Sequence, residues 1–167
     1  MTDATNSFTG AVSLNNSGAN NVALQNSGAL VLTTSSVGSG TLGVTAVGGI
    51  SQSALSTFTQ QAGAGTATFD AGAGSIALTN AGDSFTGAVS LNNSGANSVA
   101  LANGGAVVLA ASSVGSGTLS VTAVGAISQS GSVVQQAGAG IATFNAGANT
   151  ITLNATNFSP GAVVAEQ

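Results

Sequence analysis

Four carboxylates, Asp3, Asp70, Asp83 and Glu166, are the only side chains in this 167-residue chain that count toward its formal charge at pH 7. There is no Lys, Arg, His, Cys, Trp or Tyr. Whatever chemistry the chain performs must therefore start from isolated carboxylates, which ligate hard cations such as calcium or move protons. Zinc and other borderline or soft metals want imidazole or thiolate, and neither exists here. Phosphates need cations to neutralise them, so no nucleic-acid partner is expected. Asp70 and Asp83 are the only acids inside the regular part of the sequence. In a second copy of the same pattern, described below, Asn145 stands where Asp70 stands, so the position asks for a polar turn residue and not for a calcium ligand.

Other patterns yield to the same test. Glycine-rich segments at 63–65, 72–74 and 138–140 lack the Lys and the strand–loop–helix setting of a phosphate-binding loop. They read as turns or close backbone approaches. Phe8, Phe58, Phe69, Phe85, Phe144 and Phe158 read as core rings rather than as a strip for sugars. Thr33-Thr34, Thr45, Thr66, Thr68 and Thr152 do not form the regular ranks of an ice-binding face, because Thr33-Thr34 becomes Ala110-Ala111 in the second copy. Gln60-Gln61 and Gln135-Gln136 read as turn or surface amides. We therefore expect no catalytic, cofactor-binding or metal-binding residue, no cofactor, and no enzyme.

The elements that would position any site come from a repeat. Residues 7–53 match 84–130 at an offset of 77, with 39 identities in 47 positions. GAVSLNNSGAN begins at 10 and 87, SSVGSGTL at 35 and 112, VTAVG at 44 and 121, and ISQS at 50 and 127. QQAGAG then returns at an offset of 75, and Phe158 matches Phe85 at 73. The organisation expected is a single unit over 1–167, with a first repeat at 7–83, a second at 84–157, and the start of a third or a tail at 158–167.

Inside each repeat, apolar residues alternate with small ones: Val12-Ser13-Leu14, Val22-Ala23-Leu24, Leu30-Val31-Leu32, Leu42-Gly43-Val44, Ile76-Ala77-Leu78. Clusters of Asn, Ser, Gly and Gln separate them. Period-two alternation between turn clusters is the mark of strands, and the glycine content and missing 3.6-residue stripe disfavour helix. Near-identical units do not suit a sandwich, and two units of 77 do not close a propeller. In a solenoid every coil meets the same neighbours, so identical coils are allowed. The spacings predict an all-β solenoid of about eight coils of 17–22 residues, four per repeat, and a rod of roughly 38 Å at ~4.8 Å per coil. Parity puts Phe8, Gly10, Val12 and Leu14 on one inward face, repeated by Phe85, Gly87, Val89 and Leu91, and puts Val22, Leu24, Leu30, Leu32, Leu42, Val44, Ile50, Ile76 and Leu78 inside as well. It puts Ser13, Ala23, Gly43, Ala77 and Ser90 outside. Asn15-Asn16 and Asn92-Asn93 fall at strand ends, where Asn bonds to backbone or builds amide ladders.

FTGAVSLNNSGAN, with ALVL, SSVGSGTL, VTA and ISQS following, resembles the repeats of the large filamentous-haemagglutinin-like bacterial adhesins and related exoproteins. The resemblance runs from about Asn6 to Leu153. It implies a right-handed parallel β-helix on a secreted or cell-surface protein, often exported by an outer-membrane partner, with no catalytic residues in the repeats. The expected role is a structural module that extends a rod or fibre outside the cell. Its expected partners are neighbouring repeats of a longer chain or, end to end, other copies. The alternative is an adhesive module whose Asn, Ser and Thr faces recognise a host or matrix glycan. The longest apolar-looking run, Gly104 to Ala111, falls far short of the ~20 residues of a spanning helix, so no membrane insertion is expected. Met1-Thr2-Asp3 opens without the basic and apolar segments of a signal peptide, which reads as a piece of a longer exported chain.

Overall fold

The computed structural model describes residues 1–167. It contains no helix, and every strand pairing is parallel. The chain climbs as a β-solenoid of about seven turns, in keeping with a right-handed β-helix. One sheet holds β1 (Val22–Asn26), β4 (Leu42–Ala46), β7 (Ala67–Asp70), β9 (Val89–Asn92), β11 (Val107–Leu109) and β14 (Ile127–Gln129). The second holds β2 (Leu30–Leu32), β5 (Ile50–Gln52), β8 (Ile76–Leu78), β10 (Val99–Asn103), β13 (Leu119–Ala123), β16 (Ala142–Asn145) and β17 (Val163–Glu166). The chain visits the sheets alternately. Short third strands follow the second-sheet strands in the lower half, β3 (Ser35–Val37) and β6 (Phe58–Gln60), and the first-sheet strands in the upper half, β12 (Ser112–Val114) and β15 (Val133–Gln135), where β12 joins the end of β9.

The register of the second sheet gives the size of a turn. Leu30, Ile50, Ile76, Val99, Leu119, Ala142 and Val163 lie directly one above another. The steps are 20, 26, 23, 20, 23 and 21 residues, and Val12 pairs with Leu32 one turn below. This corrects the expected eight coils of 17–22 residues. A turn takes about 22, and the seven steps give a rod of ~34 Å at ~4.8 Å each. The reason is the third strand position. Segments such as Ser53–Gln60 belong to the coil that already contains Ile50, so they lengthen turns instead of adding one.

A second consequence of the register concerns the repeat itself. β1, β4 and β7 lie in the first sheet, but their copies 77 or 75 residues on, β10, β13 and β16, lie in the second. β2 and β5 lie in the second sheet, and their copies β11 and β14 lie in the first. One 77-residue repeat therefore winds three and a half turns, not four. Val12 and Val89 both point inward, but in opposite sheets.

The inner faces of both sheets form one continuous apolar core. Leu14, Leu24, Leu30, Leu32, Leu42, Val44, Ile50, Ile76, Leu78, Val89 and Leu91 are buried as parity predicts, with Phe8, Val12 and Val22 packed on the margin. Like side chains stack on like, which lets each turn bury the same apolar surface against the next. Where two turns come closest, only glycine fits. A Cβ on Gly38 would lie 2.0 Å from the Gly18 carbonyl oxygen, and one on Gly115 would lie 2.2 Å from that of Gly95.

Ser90 departs from the alternation. It was expected outside, yet it is only 8% exposed and its hydroxyl donates to the Ala111 carbonyl at 2.6 Å. Its copy Ser13 makes the same bond to Thr34 but is exposed. The next turn passes close over both hydroxyls. Ser90 also has β7 pairing beneath it, whereas the segment around Ser13 makes only isolated bridges, to the turn above.

Candidate functional site

The acids do not converge. No three His, Cys, Asp or Glu side chains gather at one point. Asp70 ends β7 and accepts the Gly72 N–H at 3.0 Å, and Asn145 accepts the Gly147 N–H at 2.9 Å in the same turn. A carboxylate and an amide do the same work there, so the position is a turn cap. Asp3 sits exposed near the N-terminus, where the Thr5 hydroxyl and then the Thr5 N–H, at 2.6 and 2.8 Å, hold its pKa below the usual aspartate value. Glu166 accepts from the Asn145 amide at 2.7 Å in the last strand. Asp83 is different. It is fully buried, accepting from Gln52 Nε2 at 3.0 Å and from the Phe58 N–H at 2.8 Å. Burial raises its pKa against the opposing effect of these two hydrogen bonds.

The glycines at 63, 72 and 138 have φ near +74°, +51° and +76°, the left-handed region of tight turns. Phe58, Phe69 and Phe85 form the core cluster expected of them, Phe58 and Phe85 stacking at 5.4 Å with Phe69 edge-on to both. Phe144 is buried and Phe8 half-buried. Phe158 is 55% exposed, against the core position expected, because no further turn lies over it. Thr45 stands between Gln25 and Asp70 on the ladder, and Thr68 between Gly43 and Ser90, so no threonine rank forms.

Gln60 and Gln135 are not surface amides. Both are buried, Gln60 Oε1 accepting the Gly87 N–H at 3.3 Å and Gln135 Nε2 donating to the Gly117 carbonyl at 3.3 Å. Each sits two residues after an inward Phe or Val on a three-residue strand, which turns it to the core. Gln61 and Gln136 are exposed.

Two further buried amides escape a reading based on apolar residues alone. Asn26 accepts the Phe8 N–H at 2.7 Å and donates to the Ala29 carbonyl at 2.9 Å. Asn103 accepts the Phe85 N–H at 2.7 Å and donates to the Ala106 carbonyl at 2.8 Å. Both fall on the inward parity of Val22-Leu24 and Val99-Leu101, and that parity is the signal that marks them. The strand-end asparagines also bond to backbone instead of stacking as a ladder. Asn16 and Asn93 accept the N–H groups of Gly38 and Gly115 one turn on, at 2.8 and 2.9 Å.

The surfaces left for interaction are the ends and the outer faces. At the lower end, Met1 lies along β1, its amino group donating to the Ala23 carbonyl at 3.0 Å and its carbonyl accepting from Gln25 N–H at 2.9 Å. Part of that edge is thus covered by the chain itself, while the backbone of Ala11 and Ser13 stays unpaired. At the upper end β17 is the edge strand, exposed along its whole length. Beside it opens a cleft of about 210 Å³ lined by Leu119, Val133, Phe144, Leu153, Gln135 and Ser159, among others. On the outside of the second sheet, Val31, Ser51, Ala77, Ala100, Ser120, Thr143 and Val164 form one vertical row, small and uncharged throughout.

No curated protein and no solved structure matches the chain. A family model does, and it matches twice: residues 19–92 and 96–166 each fit the repeats of unknown function DUF5649. The two matches begin 77 residues apart, the interval at which the solenoid brings the same sequence round to the opposite sheet. This chain is a tandem member of the DUF5649 repeat family.

Proposed function

We propose that this chain is a structural module, a length of β-solenoid that extends a rod outside a bacterial cell and joins neighbouring repeats or other copies end to end. The observation that carries the reading is backbone left open for pairing at both ends of the stack: the edge strand β17 at the top and, at the bottom, the backbone of Ala11 and Ser13 beside the stretch that Met1 covers. Exposed edges template further pairing, and proteins that avoid it use Lys, Pro, bulges or a covering element. Here there is no Lys, and the single Pro, Pro160, precedes the edge strand instead of lying in it. A head-to-tail contact between unlike ends does not close on itself and so builds filaments. The outer row from Val31 to Val164 supports a spacer over a glycan-binding face, because it holds neither aromatic rings nor clustered amides with which to grip a sugar. The setting outside the cell rests on the resemblance to surface-protein repeats.

Electron microscopy and sedimentation of the purified chain at high concentration test the proposal, in low and in high salt. Filaments continuing the ~4.8 Å strand spacing, little affected by salt because the ends carry few charges, are the expected result. A strictly monomeric species under all these conditions overturns the end-to-end assembly.

A further inference from the structure

Asp83 occupies a place that an ionised carboxylate does not fit. Its side chain is 0% exposed, and its Oδ1 takes both available donors, Gln52 Nε2 and the Phe58 N–H. Its Oδ2 has no partner, and neither has Gln52 Oε1; both atoms are buried. Two side chains already joined by one hydrogen bond thus each hold an orphan atom, and both orphans are pure acceptors when Asp83 is ionised. The one buried orphan donor, Gln60 Nε2, meets neither. No cation exists in the side chains of this protein to compensate a buried charge. The elements packed against Asp83 are β5, β6 and the Gly104 backbone, whose N–H donates to the Asp83 carbonyl at 2.6 Å. None of them carries a titratable side chain. Asp70 is turned to Gly72, and Asp3 and Glu166 sit near the two ends.

The second repeat contains the same arrangement with the difficulty removed. Gln129 stands for Gln52, Val133 for Phe58 and Asn157 for Asp83. The Val133 N–H donates to Asn157 Oδ1 at 2.9 Å, as Phe58 does to Asp83. Gln129 Nε2 donates to Asn157 Oδ1 at 2.8 Å, and Asn157 Nδ2 returns a bond to Gln129 Oε1 at 3.1 Å. The amide pair closes a ring of two hydrogen bonds. In the first repeat the returning donor is missing unless the acid supplies it.

We propose that Asp83 is a neutral carboxylic acid at neutral pH, its Oδ2–H donating to Gln52 Oε1, so that an acid–amide ring clasps successive turns at the junction of the two repeats and opens when the proton is lost. Buried polar groups are rarely left unpaired, and a lone buried charge is costlier still. The upward shift of the Asp83 pKa by burial agrees with this. The sign follows from linkage. A folded-state pKa above the unfolded one contributes stability that is complete below the ordinary aspartate pKa and is lost as pH rises through the raised value. Asp3, exposed and shifted the other way, loses its small contribution only at more acid pH.

A carboxyl-carbon NMR titration of the full chain reads the proton directly. At pH 7 the Asp83 carboxyl resonance is expected at the position of a protonated acid. A resonance already at the carboxylate position, with a midpoint near the ordinary aspartate value, overturns the proposal. Melting curves give a second measurement. The wild type is expected to lose on the order of ten degrees of melting temperature between about pH 4 and about pH 8. Asp83→Asn, which copies the working Asn157, is expected to fold and to lose that decline. The same decline in wild type and variant overturns the clasp.

Discussion

The middle of the rod and its upper end are built from equivalent positions of the repeat and behave differently. In the middle, Phe58, Phe69 and Phe85 close over one another, and Phe85 is 3% exposed. Near the upper end their counterparts are Val133, Phe144 and Phe158; Phe158 is 55% exposed and a cleft opens beside Phe144. Leu91, 1% exposed on β9, lies over Phe69, while the corresponding Ala165 on β17 lies over Phe144 in the open. A residue's energetic role in a solenoid is thus set by whether the next half-turn covers it, more than by its own type.

Charge insertion should separate the two regions most sharply. Leu91→Asp places an unpaired carboxylate in the core and is expected to cost above about 4 kcal/mol, enough to unfold the chain. Ala165→Asp is expected to cost under about 1 kcal/mol. Denaturant unfolding of the pair measures both, and comparable losses would mean that β17 is covered in solution. Ring removal comes next. Phe85→Ala deletes a stacked core ring and should cost about 3–5 kcal/mol, whereas Phe158→Ala should stay within about 1 kcal/mol. Thermal melts distinguish them, and a large loss at Phe158 would place it inside an interface. The smallest contrast lies between the buried amides. Asn103→Ala strands the buried Phe85 N–H and should cost about 1–3 kcal/mol. Asn26→Ala frees the Phe8 N–H, which is nearer to water, and should cost less. Hydrogen exchange at the two Phe amides would report the same order.

Much of this was legible in the residues, and the physical reason is the two-residue period. Val22-Ala23-Leu24 or Ile76-Ala77-Leu78 can bury only one face, so parity identifies the core. The number of turns was not legible from such triplets. Ile50 and Phe58 each head an apolar segment, but only register tells whether the second belongs to a new coil or to the third side of the same one. Polar residues on the inward parity were harder still. Asn26, Gln60 and Asn103 look like turn residues by type, and their burial depends on backbone groups of another turn, some 18 to 27 residues away. Asp83 was legible as unusual only once Asn157 could be laid beside it in space.

The half-integral winding has a consequence for any longer array. Leaves on a grass stem alternate left and right, and this repeat does the same. A side chain shown by one repeat on one flank is shown by the next on the opposite flank, about 17 Å further along at ~4.8 Å per turn, and returns to the first flank only after ~34 Å. A substitution fixed in every copy would therefore decorate both flanks equally. A rod with one distinctive flank requires adjacent copies to diverge, and the carboxylate at Asp70 against the amide at Asn145 is already a divergence of that kind.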